Sequence, residues 1–335
     1  SRTCGHRQLD TAGTMMDTAS LPLTEPTVAQ RLPEGVVCPC ERHGRLSATP
    51  DGAVCEACGR HFHCASEVWD LLIGERFDDE ACECMWCNEE DTGRHLVANY
   101  LAPELRRRFP DRDPASLRVL SIGCGVGSDV EALNELGFAA RGIDAGNRSA
   151  YWARRKRPHT YFLANAKNLP FADGYFDVVM MGCVLPHIGV GDDTYVTRPG
   201  AAAERQQAAD EMLRVTASGG ALVLSSPNRR CPIDFFHRLD RHSHRPRLHS
   251  PAEDFLLSVD DYARLLHLGR ATTSVEVLPL RGYWGFYSSS RYLLGRILQI
   301  PVRWYFNEFM SWQWTKPLRA TALNPWLILY FRKQG

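Results

Sequence analysis

Three glycines and one aspartate are the residues of this sequence whose spacing most clearly suits ligand binding. Residues 117–122 form an apolar, β-branched run, which is followed by Gly123, Gly125 and Gly127 and then by helical periodicity. This pattern predicts a strand, a tight turn and a helix. Glycine leaves no Cβ between the backbone and a ligand, and amides at a helix start favour polar or negative atoms. The turn therefore predicts a nucleotide-type pocket.

The aspartate follows the next predicted strand. Residues 138–143 are predicted to be extended, and Asp144 comes at their end, twenty-one positions beyond Gly123. A carboxylate at the tip of a second strand can accept hydrogen bonds from both hydroxyls of a ribose. Both NAD and S-adenosylmethionine satisfy this combination of a turn and an acid.

Three later segments distinguish between these cofactors. They are residues 165–177, the apolar strand 178–181, and the stretch 211–225, which contains a glycine pair before another strand. In this order they resemble the successive motifs of class I S-adenosylmethionine-dependent methyltransferases of type 11, over about residues 95–335. The resemblance implies an enzyme with an α/β fold, in which a Rossmann-like, seven-stranded sheet carries helices on both faces.

The resemblance also implies roles for individual positions. The three glycines would pass close to the methionine part of the cofactor, Asp144 would hold the ribose, and the stretch 182–187 would line the path to the sulfonium. Ser121 stands where the family usually has an acid, and Asn165 where it often has Asp; both can still form hydrogen bonds. Asn165 and Ala166 would contact the adenine edge. The implied cofactor-binding residues are Ser121, Gly123, Gly125, Gly127, Asp144, Asn165, Ala166 and Cys183.

Four cysteines near the N-terminus have metal-ligand spacing. Cys38 and Cys40 precede Cys55 and Cys58, and together they resemble the small zinc ribbon that precedes some methyltransferase domains. Paired thiolates suit tetrahedral Zn(II), which also supplies folding energy to a short segment. Only one residue separates the first pair, where the ribbon usually has two. Either both thiolates bind, or His43 replaces one of them, or the cysteines are free and buried.

A second cysteine group lies just before the expected catalytic domain. Cys82, Cys84, Cys87 and His95 could form a second zinc site, complete the first one, or simply pack. We divide the chain into a flexible leader (1–33), a cysteine-rich zinc-ribbon segment (34–93) and a methyltransferase domain (94–335). Within the last, residues 279–325 are expected to form a helical insertion that caps the substrate.

Histidines near the expected sheet edge are the candidate catalytic residues. His187 follows the fourth predicted strand, and ligands of open α/β sheets bind at that edge. It is either a base or a residue that shapes the pocket. His237 is the next candidate, in a loop predicted at 226–249 that either closes over an anionic substrate through its arginines or is an exposed basic loop. Cys183 and Cys231 weakly resemble the thiol pair of arsenite methyltransferases, but two structural cysteines would explain them equally.

Other segments predict elements around this core. Helices are expected at 94–109, 201–215 and 259–268, and strands at 273–278 and 326–331. Aromatic residues are dense between 283 and 314. These aromatic residues are predicted to form part of the hydrophobic core and one wall of the substrate pocket. Alternatively, together with nearby arginines, they form a face that binds a membrane surface.

Composition and charge restrict the partners. The 335 residues are 44% apolar with zero net charge, and no apolar run approaches the ~20 residues of a membrane span. We expect a cytoplasmic location. Residues 67–91 hold ten acids against one base, and 281–335 eight bases against one acid. These are solvated surfaces, mutually attracting segments, or a basic face toward an anionic substrate. A neutral chain gives little support to broad nucleic-acid binding.

The expected function is therefore transfer of a methyl group to an oxygen or nitrogen of a small molecule, anionic or aromatic, in specialised metabolism. An rRNA or tRNA methyltransferase that recognises its substrate through the ribbon is the second hypothesis. An arsenite-type enzyme and a non-catalytic zinc-ribbon interaction module are the others. The sequence leaves the oligomeric state open.

Overall fold

The computed structural model describes residues 32–76, 83–191, 195–238, 246–281 and 293–335. The leader predicted at 1–33 lies almost wholly outside these residues, as do Cys82 and the side chains of Cys84 and Cys87. The proposed second zinc group therefore stays a prediction. Within the described part of the chain, no helix has the length and apolarity needed to cross a membrane.

Four short strands form the beginning of the described chain. They are β1 (Leu46–Thr49), β2 (Gly52–Cys55), β3 (His61–Ala65) and β4 (Val68–Asp70), and each is antiparallel to the next. Gly52 has to be a glycine, because a Cβ there would lie 1.9 Å from the carbonyl oxygen of Phe62. The strands therefore pack as a tight antiparallel meander.

A long helical run leads into the main sheet. It consists of α1 (Glu83–Leu96), a π-helical turn (Val97–Leu101) and α2 (Ala102–Arg108). The helix predicted at 94–109 is therefore only the second part of this run. The first part is rich in acids rather than apolar residues, and Glu90 in it pairs with Arg94 of the same helix and with Arg155 from outside the helix. That is why apolar periodicity did not reveal it.

The remaining elements alternate between strands and helices. They are β5 (Arg118–Ile122), α3 (Ser128–Glu135), β6 (Ala139–Asp144), β7 (Tyr161–Leu163), β8 (Phe176–Gly182), α4 (Ala201–Val215), β9 (Thr216–Pro227), β10 (Ile233–Arg238), β11 (Pro246–Leu248), α5 (Val259–Leu265), β12 (Thr272–Val277), α6 (Leu293–Asn307) and β13 (Trp326–Lys333).

Seven of these strands have the order β7-β6-β5-β8-β9-β13-β12. The first five are parallel, whereas β13 is antiparallel to both of its neighbours. This confirms the Rossmann-like, seven-stranded α/β fold, with the last strand antiparallel. Successive strands are added to one side of β5 as far as β7 and to its other side from β8 onward, so the strand order switches between β5 and β8. Ligands of such sheets bind in the crevice at the carboxyl ends of the strands at this switch point.

Strands β1 to β4, in the segment that the sequence predicted as a zinc ribbon, extend the same sheet. Strand β4 pairs with β7 in parallel, with Trp69 opposite Phe162 and Asp70 opposite Leu163, which makes an eleven-stranded sheet. The sequence predicted the ribbon as a small unit beside the main sheet. It joins that sheet because β7 has an open edge, and pairing satisfies backbone groups that would otherwise be exposed.

Apolar residues cover both faces of the sheet. Strand β8 is buried along its length up to Met181, as expected for a parallel strand covered on both sides. One cluster, with Leu120, Val179 and Leu222, faces α4 and α5, and the other, with Val119, Val178 and Leu133, faces α3 and the helical run. The helices therefore lie on both faces, as the fold requires.

The C-terminal third confirms some predicted elements and corrects one. Helix α4 has the predicted bounds of 201–215, α5 ends earlier than the predicted residue 268, and β12 and β13 occupy the last two predicted strand positions. In the described part of the loop predicted at 226–249, β10 and β11 instead form an antiparallel pair. Within 279–325, α6 and two 3-10 turns (Phe309–Ser311, Lys316–Ala320) are helical as predicted.

Candidate functional site

The glycine-rich turn between β5 and α3 is shaped by backbone conformation and by close packing. Gly123, Gly125 and Gly127 have φ angles of 71°, 53° and 80°, a region that other residues rarely adopt. A Cβ on Gly123 would lie 2.2 Å from Cγ2 of Val184, and one on Gly127 would lie 2.4 Å from the Tyr161 ring. Glycine is therefore required at both positions.

Three side chains hold the carbonyl groups of this turn. Trp152 Nε1 donates to the oxygen of Gly125 at 2.8 Å, Arg155 Nε to that of Val126 at 2.9 Å, and the Tyr161 hydroxyl to that of Gly127 at 2.8 Å. Only one weak signal in the sequence points to them, since buried Trp and Tyr usually find a hydrogen-bond partner. The contacts fix the turn and orient its peptide groups.

Helix α1 covers the turn from outside the sheet. Glu89 Oε2 accepts a hydrogen bond from the Val126 amide at 3.1 Å, and the Glu89 carbonyl accepts one from Ser128 Oγ at 2.8 Å. Gly93 allows this approach, because a Cβ there would lie 2.1 Å from Ser128 Oγ. A carboxylate beside a helix start is electrostatically favourable. Glu89 is thus a site residue that motif reading did not find.

Asp144 ends β6 and lies against the turn, as predicted. Its carboxylate accepts hydrogen bonds from the amides of Gly125 at 2.9 Å and Gly146 at 2.8 Å. Ser121, on the adjacent strand, donates its hydroxyl proton to Asp129 Oδ2 at 2.5 Å, and burial raises the pKa of Asp129. Ser121 thus has a carboxylate from the first turn of α3 as its hydrogen-bond partner.

The predicted adenine-edge residues follow β7. Asn165 is buried and its Oδ1 accepts a hydrogen bond from the Lys167 amide at 2.9 Å, while Ala166 is half-buried. These contacts place Asn165 in a tight turn at the carboxyl end of a strand. Contact with adenine remains a prediction.

S-adenosylmethionine fits this part of the molecule. The turn presents backbone without side chains, a helix begins at its end, and Asp144 ends the neighbouring strand. Nucleotide-binding sites of doubly wound α/β sheets use these same three features.

Two histidines meet at the same edge of the sheet. His187 ends a 3-10 turn (Leu185–His187) after β8, and His237 lies in β10. Their Nε2 atoms are 3.1 Å apart. Although His187 keeps some exposed surface, desolvation by its protein surroundings, and then the charge of His237, lower its pKa to about 3. Its imidazole is therefore neutral near pH 7.

A buried carboxylate orients His237. Asp234 Oδ2 lies 2.6 Å from His237 Nδ1, so Nδ1–H is the donor and Nε2 faces His187. Burial raises the pKa of Asp234, but the hydrogen bond from His237 and the amides of Phe236 and His237 outweigh this and lower it. Arg247 Nη2 is a further neighbour at 3.4 Å. The position of Asp234 depends on the pairing of β10 with β11, which the sequence did not predict.

Cys183 completes this group. Its sulfur and the two imidazoles lie within 4.8 Å of one another, whereas Cys231 is not part of the group and instead donates to the Ile233 carbonyl. The next residue, Val184, touches Gly123 as described above, so this group adjoins the cofactor turn. Buried Arg205 donates to the carbonyls of Pro186 and Ile188, at 2.6 and 3.1 Å, and thereby fixes the turn that carries His187.

The four N-terminal cysteines also converge. The sulfur atoms of Cys38, Cys40, Cys55 and Cys58 lie within 4.8 Å of one another, and those of Cys38 and Cys58 are 3.7 Å apart. A tetrahedral ion with Zn–S bonds of ~2.3 Å would set such sulfurs about 3.8 Å apart. The sulfur of Cys55 also accepts hydrogen bonds from the amides of Ala57 and Cys58, both at 3.4 Å. The arrangement fits zinc.

Both members of the narrow first pair belong to this group, and His43 does not. The backbone explains why: His43 has a positive φ of 44° and its amide donates to the Cys40 carbonyl at 2.9 Å, so it closes a tight turn. That turn brings Cys38 and Cys40 to one side although a single residue separates them.

Comparison with known proteins agrees with this site. Residues 120–224 match the family model described as a methyltransferase domain. The chain is 32% identical to the demethylmenaquinone methyltransferase of Renibacterium salmoninarum over 32% of its own length and 40% of the relative. It is 27% identical to the 2-methyl-6-phytyl-1,4-hydroquinone methyltransferase of Synechocystis sp. (52% and 54% covered) and to the glycine N-methyltransferase of Rattus norvegicus (49% and 52%).

The chain thus spans about half the length of these curated relatives, or less. Together with the strand order, the matches show that residues 120–224 resemble a methyltransferase domain within a Rossmann-like α/β fold.

Proposed function

We propose that this protein transfers a methyl group from S-adenosylmethionine to an oxygen or nitrogen atom of a small molecule. The observation that carries the proposal is the glycine-rich turn, held between Asp144 and α1, directly beside a group of histidines at the sheet edge. The family match over residues 120–224 supports it.

When bound, the cofactor supplies a methyl group that is already activated on a sulfonium. The turn would hold its methionine part, Asp144 its ribose, and Asn165 with Ala166 its adenine. The protein then has to place the acceptor correctly and exclude water, because proximity and orientation provide most of the acceleration in such transfers.

A hydroxyl or amine acceptor also has to lose a proton. His237 is better suited to take it than His187, because Asp234 fixes its tautomer and would stabilise the imidazolium. His187, with its pKa near 3, is a weak base, and its Nε2–H donates to the unprotonated Nε2 of His237. Both stay candidate catalytic residues, with Asp234 as a positioning residue.

Aromatic rings around the histidines support an aromatic acceptor. The ring centroid of Phe255 is 5.0 Å from that of His237 and 5.2 Å from that of His187, and the Tyr195 ring is 5.1 Å from His237. Two of the relatives are named for quinone-type substrates. We therefore propose a hydroquinone or phenol as the acceptor class, in specialised metabolism in the cytoplasm.

We propose a structural role for the four-cysteine group. With all four ligands from the protein, a zinc ion there would be closed to substrate, as in structural sites. It would stabilise the short strands β1 to β4, which in turn extend the sheet through β4. RNA recognition by these strands has no support in the structure.

The test is methyl transfer from isotope-labelled S-adenosylmethionine to a panel of hydroquinones, phenols and amines. We expect transfer by the wild type and a loss of roughly 100-fold or more for His237→Asn, the range of general base catalysis. His267→Asn is the matched control, since this histidine pairs with Asp210 on an exposed surface. Equal rates for the two variants would overturn the role of His237, and no transfer to any acceptor would overturn the substrate class.

A further inference from the structure

We propose that Cys183, His187 and His237 bind one zinc ion at the carboxyl edge of the sheet. The sulfur and two ring nitrogens lie within 4.8 Å of one another. Three protein ligands leave a fourth position, the arrangement typical of catalytic zinc. One part rests on the proposed methyl transfer: the fourth position takes the oxygen or nitrogen atom of the acceptor. The two imidazoles would then be ligands, and coordination would replace proton removal by a free base.

The distances already approach those of a bound ion. The Nε2 atoms of His187 and His237 are 3.1 Å apart. Tetrahedral zinc with Zn–N bonds of ~2.0–2.1 Å would hold two nitrogens about 3.3 Å apart. The two nitrogens therefore need to move by only a few tenths of an ångström to meet one ion.

Asp234 gives His237 the environment of a metal-ligating histidine. Ligating histidines almost always donate their other ring N–H to a carboxylate or carbonyl, which fixes the ring and raises its basicity. Here Asp234 lies 2.6 Å from Nδ1 and its side chain is fully buried. Arg247, Phe236 and His237 also donate to it. Such a supported carboxylate is what a neutral imidazole ligand needs.

The backbone at Cys183 is an independent observation. Its φ is +55°, a conformation that favours glycine and costs of order 1 kcal/mol or more for other residues. The amide of Cys183 is fixed by a hydrogen bond to the Ser225 carbonyl at 2.6 Å. A thiol retained in this conformation, directed toward two imidazoles, indicates a role for the sulfur itself.

The donor set selects the ion. One thiolate and two imidazoles suit zinc, whereas magnesium and calcium prefer oxygen ligands. The group also differs from the four-cysteine site, which has no position left for a substrate. The two sites lie on different elements and can be removed separately.

The experiment measures zinc bound per full-length chain by elemental mass spectrometry, after zinc loading and dialysis. We expect at least two equivalents in the wild type, and one equivalent fewer in Cys183→Ser and in His237→Ala. Cys231→Ser is the matched control, because this cysteine lies outside the group and its hydroxyl replacement keeps a donor for the Ile233 carbonyl. It should retain both ions. Cys58→Ser should also lose one ion, but from the other site.

A second measurement covers variants that fold poorly. Cobalt-loaded Cys58→Ser should show a thiolate-to-cobalt charge-transfer absorption, and adding Cys183→Ser should reduce it. Zinc content that is unchanged by Cys183→Ser and His237→Ala would overturn the proposal. So would a single ion in the wild type that only Cys58→Ser removes.

Titration with S-adenosylhomocysteine separates this result from the proposed function. His237→Ala, which changes no implied cofactor-binding residue, should still bind the cofactor product if only the metal site is lost. Metal loss in a protein that never binds S-adenosylhomocysteine would leave the metal site standing and refute methyl transfer.

Discussion

Arg155 should be the residue on which the architecture around the glycine-rich turn depends most. Its guanidinium donates to the Val126 carbonyl at 2.9 Å, to Glu131 at 2.8 Å and to Glu90 at 2.7 Å, and its side chain is 3% exposed. It therefore joins the turn, α3 and α1. We predict that Arg155→Met destabilises the protein strongly and weakens cofactor binding.

The magnitude follows from burial. Removing one partner of a buried ion pair costs about 3–5 kcal/mol, because the remaining charges lose their compensation. Arg94 still pairs with both Glu90 and Glu131, so we expect the lower end, about 3 kcal/mol. That is roughly a 100-fold change in the unfolding equilibrium, at 1.36 kcal/mol for each factor of ten.

Arg94→Met is the matched control. Arg94 pairs with the same two carboxylates and with Glu135, but its side chain is 39% exposed. Exposed ion pairs contribute ~0–1 kcal/mol. Urea unfolding followed by tryptophan fluorescence should show a lower midpoint for Arg155→Met at an unchanged slope, and almost no shift for Arg94→Met. Equal shifts, or a loss below about 1 kcal/mol for Arg155→Met, would refute the reasoning.

Acid should reduce this difference. Burial raises the pKa of Glu90, but hydrogen bonds from Arg155 and Arg94 outweigh it and hold the pKa below the ordinary value of 4.5. A carboxyl with a lowered pKa contributes stability above its unfolded pKa, and that stability is lost as pH falls through the folded value. The difference in the free energy of unfolding between wild type and Arg155→Met should therefore be largest near pH 7 and decrease below pH 4.5. A constant gap would contradict the ion pairing.

Three further predictions concern the turn, the ribbon and the histidine group. Gly123→Ala should lower stability and weaken S-adenosylhomocysteine binding, and adding Val184→Ala should recover part of the loss by removing the 2.2 Å contact; no recovery would contradict the packing argument. Cys58→Ser or a zinc chelator should lower the melting temperature, measured by calorimetry, and a zinc-independent melting temperature would refute a structural ion. Asp234→Asn should reduce transfer and alter its pH profile while leaving binding of the cofactor product intact; an unchanged profile would exclude a positioning role.

The sequence predicted the parts of the fold that are encoded locally. Apolar runs set the strands of the sheet, and the breaker-free stretch Ala201–Val215 set α4. The family resemblance supplied the seven-stranded, Rossmann-like sheet that no local pattern contains. The same local reading found the turn and Asp144, because glycine spacing and an acid after a strand report backbone geometry directly.

Contacts between distant residues were not predictable in this way. Asp234 and His237 are brought to His187, fifty positions away, by the antiparallel pair of β10 and β11 within a stretch whose many Arg and His residues suggested a loop. Likewise, the pairing of β4 with β7 depends on which strand edge is left open in the folded sheet. Side chains such as Trp152 and Arg155 carry no motif, since their role is to hold carbonyl groups of a turn elsewhere in the chain.

The most direct test of the account is calorimetric titration of the zinc-loaded full chain with S-adenosylhomocysteine, beside Asp144→Ala. The account predicts binding by the wild type and a loss of roughly 10- to 100-fold in the variant, since hydrogen bonds to a charged group contribute ~1.5–3 kcal/mol. Part of that loss would come from the turn, because Asp144 also holds the Gly125 amide. Absence of binding to folded wild-type protein, or equal affinity for the variant, would contradict the central claim.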